Sequence, residues 1–545
     1  MSSSALAASR SRLRALSLEN WLLTALIATG ALNLIVFFAQ LRGMLTALYR
    51  NPDTSVAPVL AALSSGQGPA REVILGDHPY YEAWWLETAT RGLPGHWQIW
   101  QAIPIVIAFL GIALLAWAAW RVLGLFGAVV TTTVMLSLGD AMRWIMFTSD
   151  AHGYSAAHAA LLVAAGVFVA ERAVRGDLPW SLLAAVGVPL AALSAAGGTD
   201  QLFEVVFLPS FALAGCLVWW RHSGRSPFRL AIFCVAVAAV AIVGAELLDA
   251  LMISLKVKAA YYPITFVEAG NVLSNLQLTI TSLAYLAGGA FFGQPLHRSQ
   301  LLVFAVGLLA LLAVLVVLRF IWREGRALGT RQSRLPVTRD LYVAFWSLVI
   351  VLSLAAYLFT NLPRAEGDAR YLVGVFVGSA ALLPVLTGER TAARVALVAA
   401  VSAFGVLVAV NHMVAGPPNP AERTSPTSAE AHKMLRYARS QGANHGYAGY
   451  YVGPVATWET EGALRAYPVV ECHAAYLCPY FLGDINTWYE PRSGARSFLI
   501  ADSNDEVSGN VSGGVANFGE PVAKAEFGTY SVLVYDHDIA EDLVH

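Results

Sequence analysis

Stretches of about 20 predominantly apolar residues recur along this chain, and in a bilayer only helices or closed barrels can satisfy the backbone of such stretches. They lie at roughly 21–41, 102–120, 122–138, 156–171, 179–196, 202–220, 229–248, 300–320, 341–361, 371–387 and 394–415, which makes eleven spans. Most are far longer than the roughly 10 residues that a membrane strand needs. The expected fold is therefore an all-α polytopic membrane protein. Composition agrees, with 57% of residues apolar and 13% charged, against about 25% charged in a soluble domain. No basic block with interleaved aromatics occurs in a polar segment, so nucleic acid is not an expected partner.

Charge sets the orientation. Met1–Asn20 carries Arg10, Arg12 and Arg14 ahead of the first apolar run without a clean cleavage site, and reads as the inner flank of an uncleaved first span. With the N-terminus inside, the inner segments collect those three together with Arg121, Arg172, Arg175, Arg221, Arg225, Arg229, Arg319, Arg323, Arg326, Arg331, Arg334, Arg339, Arg390 and Arg394. The short outer loops hold only Arg143, Arg364 and Arg370. This is the positive-inside asymmetry, and an odd number of spans then places residues 416–545 outside. Leu276–Phe292 is apolar enough to be a twelfth span, but crossing there would turn the arginine-rich loop 319–339 outward, so it is expected to be a re-entrant or interfacial helix. Arg outnumbers Lys 31 to 4, a bias read as the base composition of a GC-rich bacterial genome, which makes the expected membrane the bacterial cytoplasmic one.

Two outer loops are long, 42–101 and 249–299, and long loops in compact structures are usually functional. Both hold aromatic stretches, Tyr80–Trp85 and Tyr261-Tyr262-Pro263, that suit either interfacial helices or a plain aromatic belt. The chain divides into a membrane domain, 1–415, and a soluble domain, 416–545, that begins with Pro417-Pro418-Asn419-Pro420. Within the latter, Ser425–Gln441 reads as a helix closed by Gly442, and strands are expected at Tyr447–Val452, Ala466–Val470, Ser497–Ala501 and Ser531–Tyr535. Small α/β is the expected class. Cys472 and Cys478 both lie in it, where an oxidising compartment favours a disulfide between them.

Three clusters have residue types suited to chemistry. Gly76-Asp77-His78-Pro79-Tyr80-Tyr81-Glu82 puts carboxylates beside aromatics in the first long loop, where Asp77, with Glu82 second, is able to act as a base; Asp77 also fits an N-cap ahead of Pro79. Ser149-Asp150-Ala151-His152, with Asp140, Arg143 and His158 nearby, offers an Asp-x-His pair able to ligate a divalent metal such as Mg²⁺ or Mn²⁺; polar interfacial residues or an N-cap account for it equally. Asp368-Ala369-Arg370-Tyr371-Leu372 places an arginine at the entry to a late span, where guanidinium and helix N–H groups together suit a lipid phosphate, and where an interfacial Arg–Tyr anchor is the plainer alternative.

This layout resembles the GT-C superfamily of glycosyltransferases. The shared features are an acid in a long first outer loop, an acidic motif between the third and fourth spans, a long loop after the seventh, an Arg-Tyr-Leu entry to a late span and an outer C-terminal domain. It looks more like the protein mannosyltransferase and aminoarabinose transferase branch than the ligase branch. The resemblance implies a polyprenyl-phosphate-linked sugar donor, a glycan, lipid or protein acceptor, Asp77 as base, Asp150 and His152 as the second acidic or metal motif, and Arg370, with Tyr371 and Arg143, around the donor phosphate. The motif departs from the usual Asp-x-Asp or Glu-x-Asp by carrying His152. A transporter or flippase is the alternative from another class, and it predicts ionisable residues in mid-membrane. Here Glu204, Glu246 and Asp249 sit at the outer ends of spans.

Overall fold

A computed structural model describes the chain except residues 1–2, 51–53, 57–58, 61–72, 76–85, 87–88, 91–92, 149–151, 177, 260–262, 294–299, 328–334, 389, 416–424, 473–475, 481–483, 503–510 and 544–545. Helices α1 (Ser3–Tyr49), α2 (His96–Leu136), α3 (Asp140–Phe147), α4 (Gly153–Arg175), α5 (Trp180–Gly198), α6 (Leu208–His222), α7 (Arg225–Ser254), α8 (Val272–Leu286), α9 (Gln300–Ala327), α10 (Val337–Phe359), α11 (Val373–Leu382) and α12 (Thr391–Ala415) build the bundle. A π-helical turn, Phe203–Phe207, leads into α6, and 3₁₀ turns Glu366–Leu372 and Leu383–Thr387 flank α11.

Ten helices among the described residues are long and apolar enough to cross a bilayer. One of them, α2, contains two of the expected spans. Gly124 interrupts it with φ 74° and ψ −172°, a conformation that only glycine adopts readily. The contacts on either side run in opposite directions. Before the break Gly111 packs on Ala157 and Arg121 pairs with Glu171, descending α4; after it Phe126 meets Arg394 at the start of α12, and the Leu138 carbonyl meets His412 near its end. Among the described residues, eleven segments are therefore long and apolar enough to cross. Helix α8 is not among them. Its 15 residues reach only about 22 Å. Asn275 at its start donates to the Leu358 and Thr360 carbonyls, and Gly288 just past its end abuts Gly139, so both of its ends stay at one end of the bundle.

Helices α13 (Ser428–Ser440), α14 (Gly453–Glu459) and α15 (Val511–Phe518) pack with a six-stranded sheet in the carboxy-terminal region. Its strands are β3 (His445–Gly449), β4 (Ala466–Cys472), β5 (Tyr476–Pro479), β7 (Ser497–Asp502), β8 (Ala523–Phe527) and β9 (Tyr530–Tyr535), in the order β5-β4-β3-β7-β9-β8. The parallel pairs β3–β4 and β3–β7 form its centre. Alternation divides two cores: Ala448, Phe498, Ile500, Val532 and Val534 face α13, whereas Tyr447, Leu499, Leu533 and Tyr535 join the core continuous with the bundle. Cys472 and Cys478 are disulfide-bonded across the β4–β5 hairpin.

This region sits on one end of the bundle. The Trp458 ring stacks on Tyr49 at 4.5 Å and meets Trp97 edge-on at 5.1 Å, while Arg50 pairs with Glu459 at 3.5 Å. A second sheet, β2-β1-β6, joins three distant segments: β1 (Val73–Leu75) from the first long loop, β2 (Val257–Ala259) after α7, and β6 (Asp484–Ile485) from the carboxy-terminal region. We call this the domain end. The other, where Arg175, Arg221, Arg339 and Arg394 lie near helix termini and Arg121 lies beside the Gly124 break, is the arginine end. The expected proline-rich linker lies outside the described residues.

Candidate active site

At the domain end the chain passes from α3 to α4 through His152, which takes up a left-handed conformation with φ 63°. The next residue has to be glycine, because a Cβ on Gly153 would lie 2.3 Å from the Ile145 carbonyl oxygen. This close approach fixes His152 in a buried position, with Nδ1 2.8 Å from Asp200 Oδ2. Ser155, one turn into α4, donates its hydroxyl to the same carboxylate oxygen. The other oxygen of Asp200 accepts the Leu202 N–H at 2.9 Å, at the junction between α5 and the π-helical turn. Left-handed non-glycine residues and π turns both cluster at functional sites.

The entry to α11 comes to the same place. The Tyr371 ring lies 5.0 Å from the His152 ring, and the Arg370 guanidinium lies over Tyr371 at 5.3 Å. Asp368 accepts the backbone N–H groups of Arg364 and Ala365, which secures the start of this 3₁₀ turn. Thus His152, Arg370 and Tyr371, read from two separate motifs, are neighbours.

An apolar groove of about 540 Å³ lies between α2, α4 and α5. Tyr154, two residues beyond His152, and Thr199, one before Asp200, line it along with His158, and its depth is formed by Leu110, Leu114 and Leu161. Leu86, four residues beyond Glu82, also lines this groove. Asp77, Glu82 and Asp150 lie outside the described residues. The strand that immediately precedes Gly76-Asp77, β1, is hydrogen-bonded on both edges, and its Leu75 is wholly buried. Among the described residues no group of three His, Cys, Asp or Glu side chains gathers as a metal centre.

Arg143 is placed differently. It is 1% exposed on α3, donates to Gln40 Oε1 at 3.2 Å and lies over Phe37 at 6.0 Å. Gln40 in turn donates to the His412 carbonyl, and His412 pairs with Asp140 at 3.0 Å. Arg143 thereby ties α3 to α1 and α12, while its buried Nη2 has no partner among the described residues. The residue that sequence reasoning passed over is Asp200. Its signal was an acid in the five-residue connection between two apolar spans, directly after Gly197-Gly198-Thr199.

No protein-family model matches the sequence, and no curated protein matches it. Solved structures do. The chain superposes on ArnT from Cupriavidus metallidurans bound to undecaprenyl phosphate with a TM-score of 0.53 at 12% identity, covering 93% of this chain and 97% of that one. The Archaeoglobus fulgidus oligosaccharyltransferase tethered with an acceptor peptide matches at a TM-score of 0.38 and 14% identity; 77% of this chain is covered, and it spans 57% of the archaeal chain. The near-complete mutual coverage with ArnT shows that this chain shares the fold of that protein from end to end.

Proposed function

We propose that the chain is a membrane glycosyltransferase that moves a sugar from a polyprenyl-phosphate-linked donor to a glycan, lipid or protein acceptor on the outer face of a bacterial cytoplasmic membrane. The observation that carries this reading is the meeting of His152, Tyr371 and Arg370, together with an apolar groove lined by Tyr154 and Thr199, the near sequence neighbours of His152 and Asp200. An isoprenoid chain needs such a groove, and its phosphate needs a cation at the mouth. In this reading the arginine end is cytoplasmic, and the domain end, residues 416–545 included, faces outward.

Asp77 is assigned the role of base, with Glu82 as the second carboxylate of that loop. The acceptor gives its proton to Asp77, its freed electron pair forms the bond to the anomeric carbon, and the sugar–phosphate bond breaks with its electrons remaining on the phosphate. Polyprenyl phosphate leaves with one more negative charge than the donor carried. Arg370, held over Tyr371, is assigned the stabilisation of that charge. A Mg²⁺ or Mn²⁺ ion would be held by Asp150 and by His152, whose imidazole Asp200 orients through Nδ1 in the carboxylate–histidine arrangement typical of metal ligands. Such an ion would offset phosphate charge. Arg143 holds α3 in place through Gln40 and, with a buried Nη2 that has no partner among the described residues, is assigned as a second cation for the phosphate. The β1 strand, which ends two residues before Asp77 in the sequence, is itself clamped between β2 and β6.

The test is sugar transfer by the purified chain supplied with polyprenyl-phosphate sugars. The wild type is expected to transfer, and Asp77→Asn to lower kcat by about 10²- to 10⁴-fold, the usual worth of a general base. Full transfer by the variant overturns the base assignment, and failure of the wild type with every polyprenyl donor overturns the reading as a whole.

A further inference from the structure

A second cleft, of about 220 Å³, opens at the arginine end between α6, α9 and α10. Its polar lining is Arg221, Glu324 and Ser347, and its apolar wall includes Leu217, Ile321 and Val351. The Arg221 side chain is 9% exposed; its Nη1 donates to Asp340 at 2.6 Å, but its buried Nε has no partner among the described residues. The Ser347 hydroxyl is likewise buried without one. Buried donors are nearly always satisfied, so two orphans on one cleft call for an acceptor that comes from outside the chain.

The order of these groups along α10 describes that acceptor. Starting from the level of Asp340 and Arg221, Ser347 is about 10 Å deeper and Val351 about 16 Å deeper. The level of the mouth is marked by Trp322, 64% exposed, with the Arg326 guanidinium 4.9 Å above its ring, an arrangement typical of the membrane interface. A ligand with an anion at the interface, a weaker acceptor about 10 Å below it and an apolar tail is a phospholipid: phosphate to Arg221, ester carbonyl to Ser347, acyl chain along Val351. Glu324, half-buried at the same mouth and in no ion pair among the described residues, adds a requirement for a cation. We propose that this cleft binds a phospholipid whose headgroup carries both a phosphate and a primary ammonium, the ammonium resting on Glu324. It is a site on the leaflet opposite the groove, and it stands or falls independently of the transferase reading.

The experiment is native mass spectrometry of the delipidated full-length protein, titrated with phosphatidylethanolamine, phosphatidylcholine and phosphatidylglycerol of equal chain length. Phosphatidylethanolamine is expected to bind about five-fold more tightly than the other two, the range open to one half-exposed ion pair. Glu324→Gln, at a position in no ion pair among the described residues, removes that preference over phosphatidylcholine. Ser347→Leu fills the cleft and lowers occupancy by all three. Equal binding of the three lipids to the wild type, a preference for phosphatidylglycerol, or a phosphatidylethanolamine preference that survives Glu324→Gln overturns the proposal.

Discussion

Two buried aspartates, one at each end of the bundle, show how the same residue type serves different ends. At the arginine end Asp340 sits in the first turn of α10, one oxygen taken by Arg221 at 2.6 Å and the other by His222 at 3.0 Å. All three residues lie within regular helices, and the arrangement links the start of one span to the end of another. At the domain end Asp200 is shared among a histidine with φ 63°, a serine and a backbone N–H, at the margin of a π turn and at the mouth of the groove. A carboxylate satisfied by a cation on ideal helices is a staple. A carboxylate that orients an imidazole on irregular backbone beside a groove has the attributes of a reaction centre.

That contrast can be broken experimentally. The largest effect is expected from Asp340→Ala, which leaves Arg221 buried without its partner and costs about 3–5 kcal/mol in thermal or denaturant unfolding, while transfer per folded molecule stays near wild type. Asp200→Asn is expected to do the reverse. Its amide still accepts from Leu202, so melting changes little, but the imidazole of His152 loses its orienting carboxylate and transfer falls by about 10- to 100-fold. If Asp200→Asn unfolds the protein and leaves transfer intact, the two ends are staples alike. Ala192→Phe, at an exposed position on the α5 wall of the groove, is expected to raise KM for the lipid donor several-fold with kcat unchanged. The smallest effect concerns acid. Burial alone would raise the Asp538 carboxyl, but the His445 hydrogen bond and charge, with the N–H groups of Ala540 and Arg492, hold it below its usual range. A depressed carboxylate contributes stability in full above its unfolded pKa of about 3.9 and loses it as pH falls through the lower folded value. The carboxy-terminal region should therefore weaken below about pH 4, and Asp538→Asn should flatten that dependence in circular dichroism melts.

The membrane bundle was legible because long apolar runs and arginine placement act at the scale of whole spans. Even the two passes inside α2 were, since Arg121 divides two apolar runs, although the break itself falls at Gly124, within the second of them. Local motifs read less evenly. The helix expected at Ser425–Gln441 runs from Ser428 to Ser440 because Thr427 and Glu430 form a capping box, a pattern visible in the sequence, and Gly442 closes it with φ 79°. The strand expected at Tyr447–Val452 ends at Gly449, since Gly453-Pro454 starts α14 and the chain must turn before it. Strands β1, β2 and β6 escaped notice for a different reason. Each has only two or three residues, and each exists through partners from distant segments. Asp200 escaped for the same reason, its role being set by His152 and Ser155 across the bundle.

The most direct measurement is an experimental structure of the protein with polyprenyl phosphate bound. The phosphate is expected in ionic contact with Arg370 beside Tyr371 and His152, with the isoprenoid chain along Leu110, Leu114 and Leu161 of the groove. A phosphate seated instead at the arginine end against Arg221, with the groove between α2, α4 and α5 bare, contradicts the account.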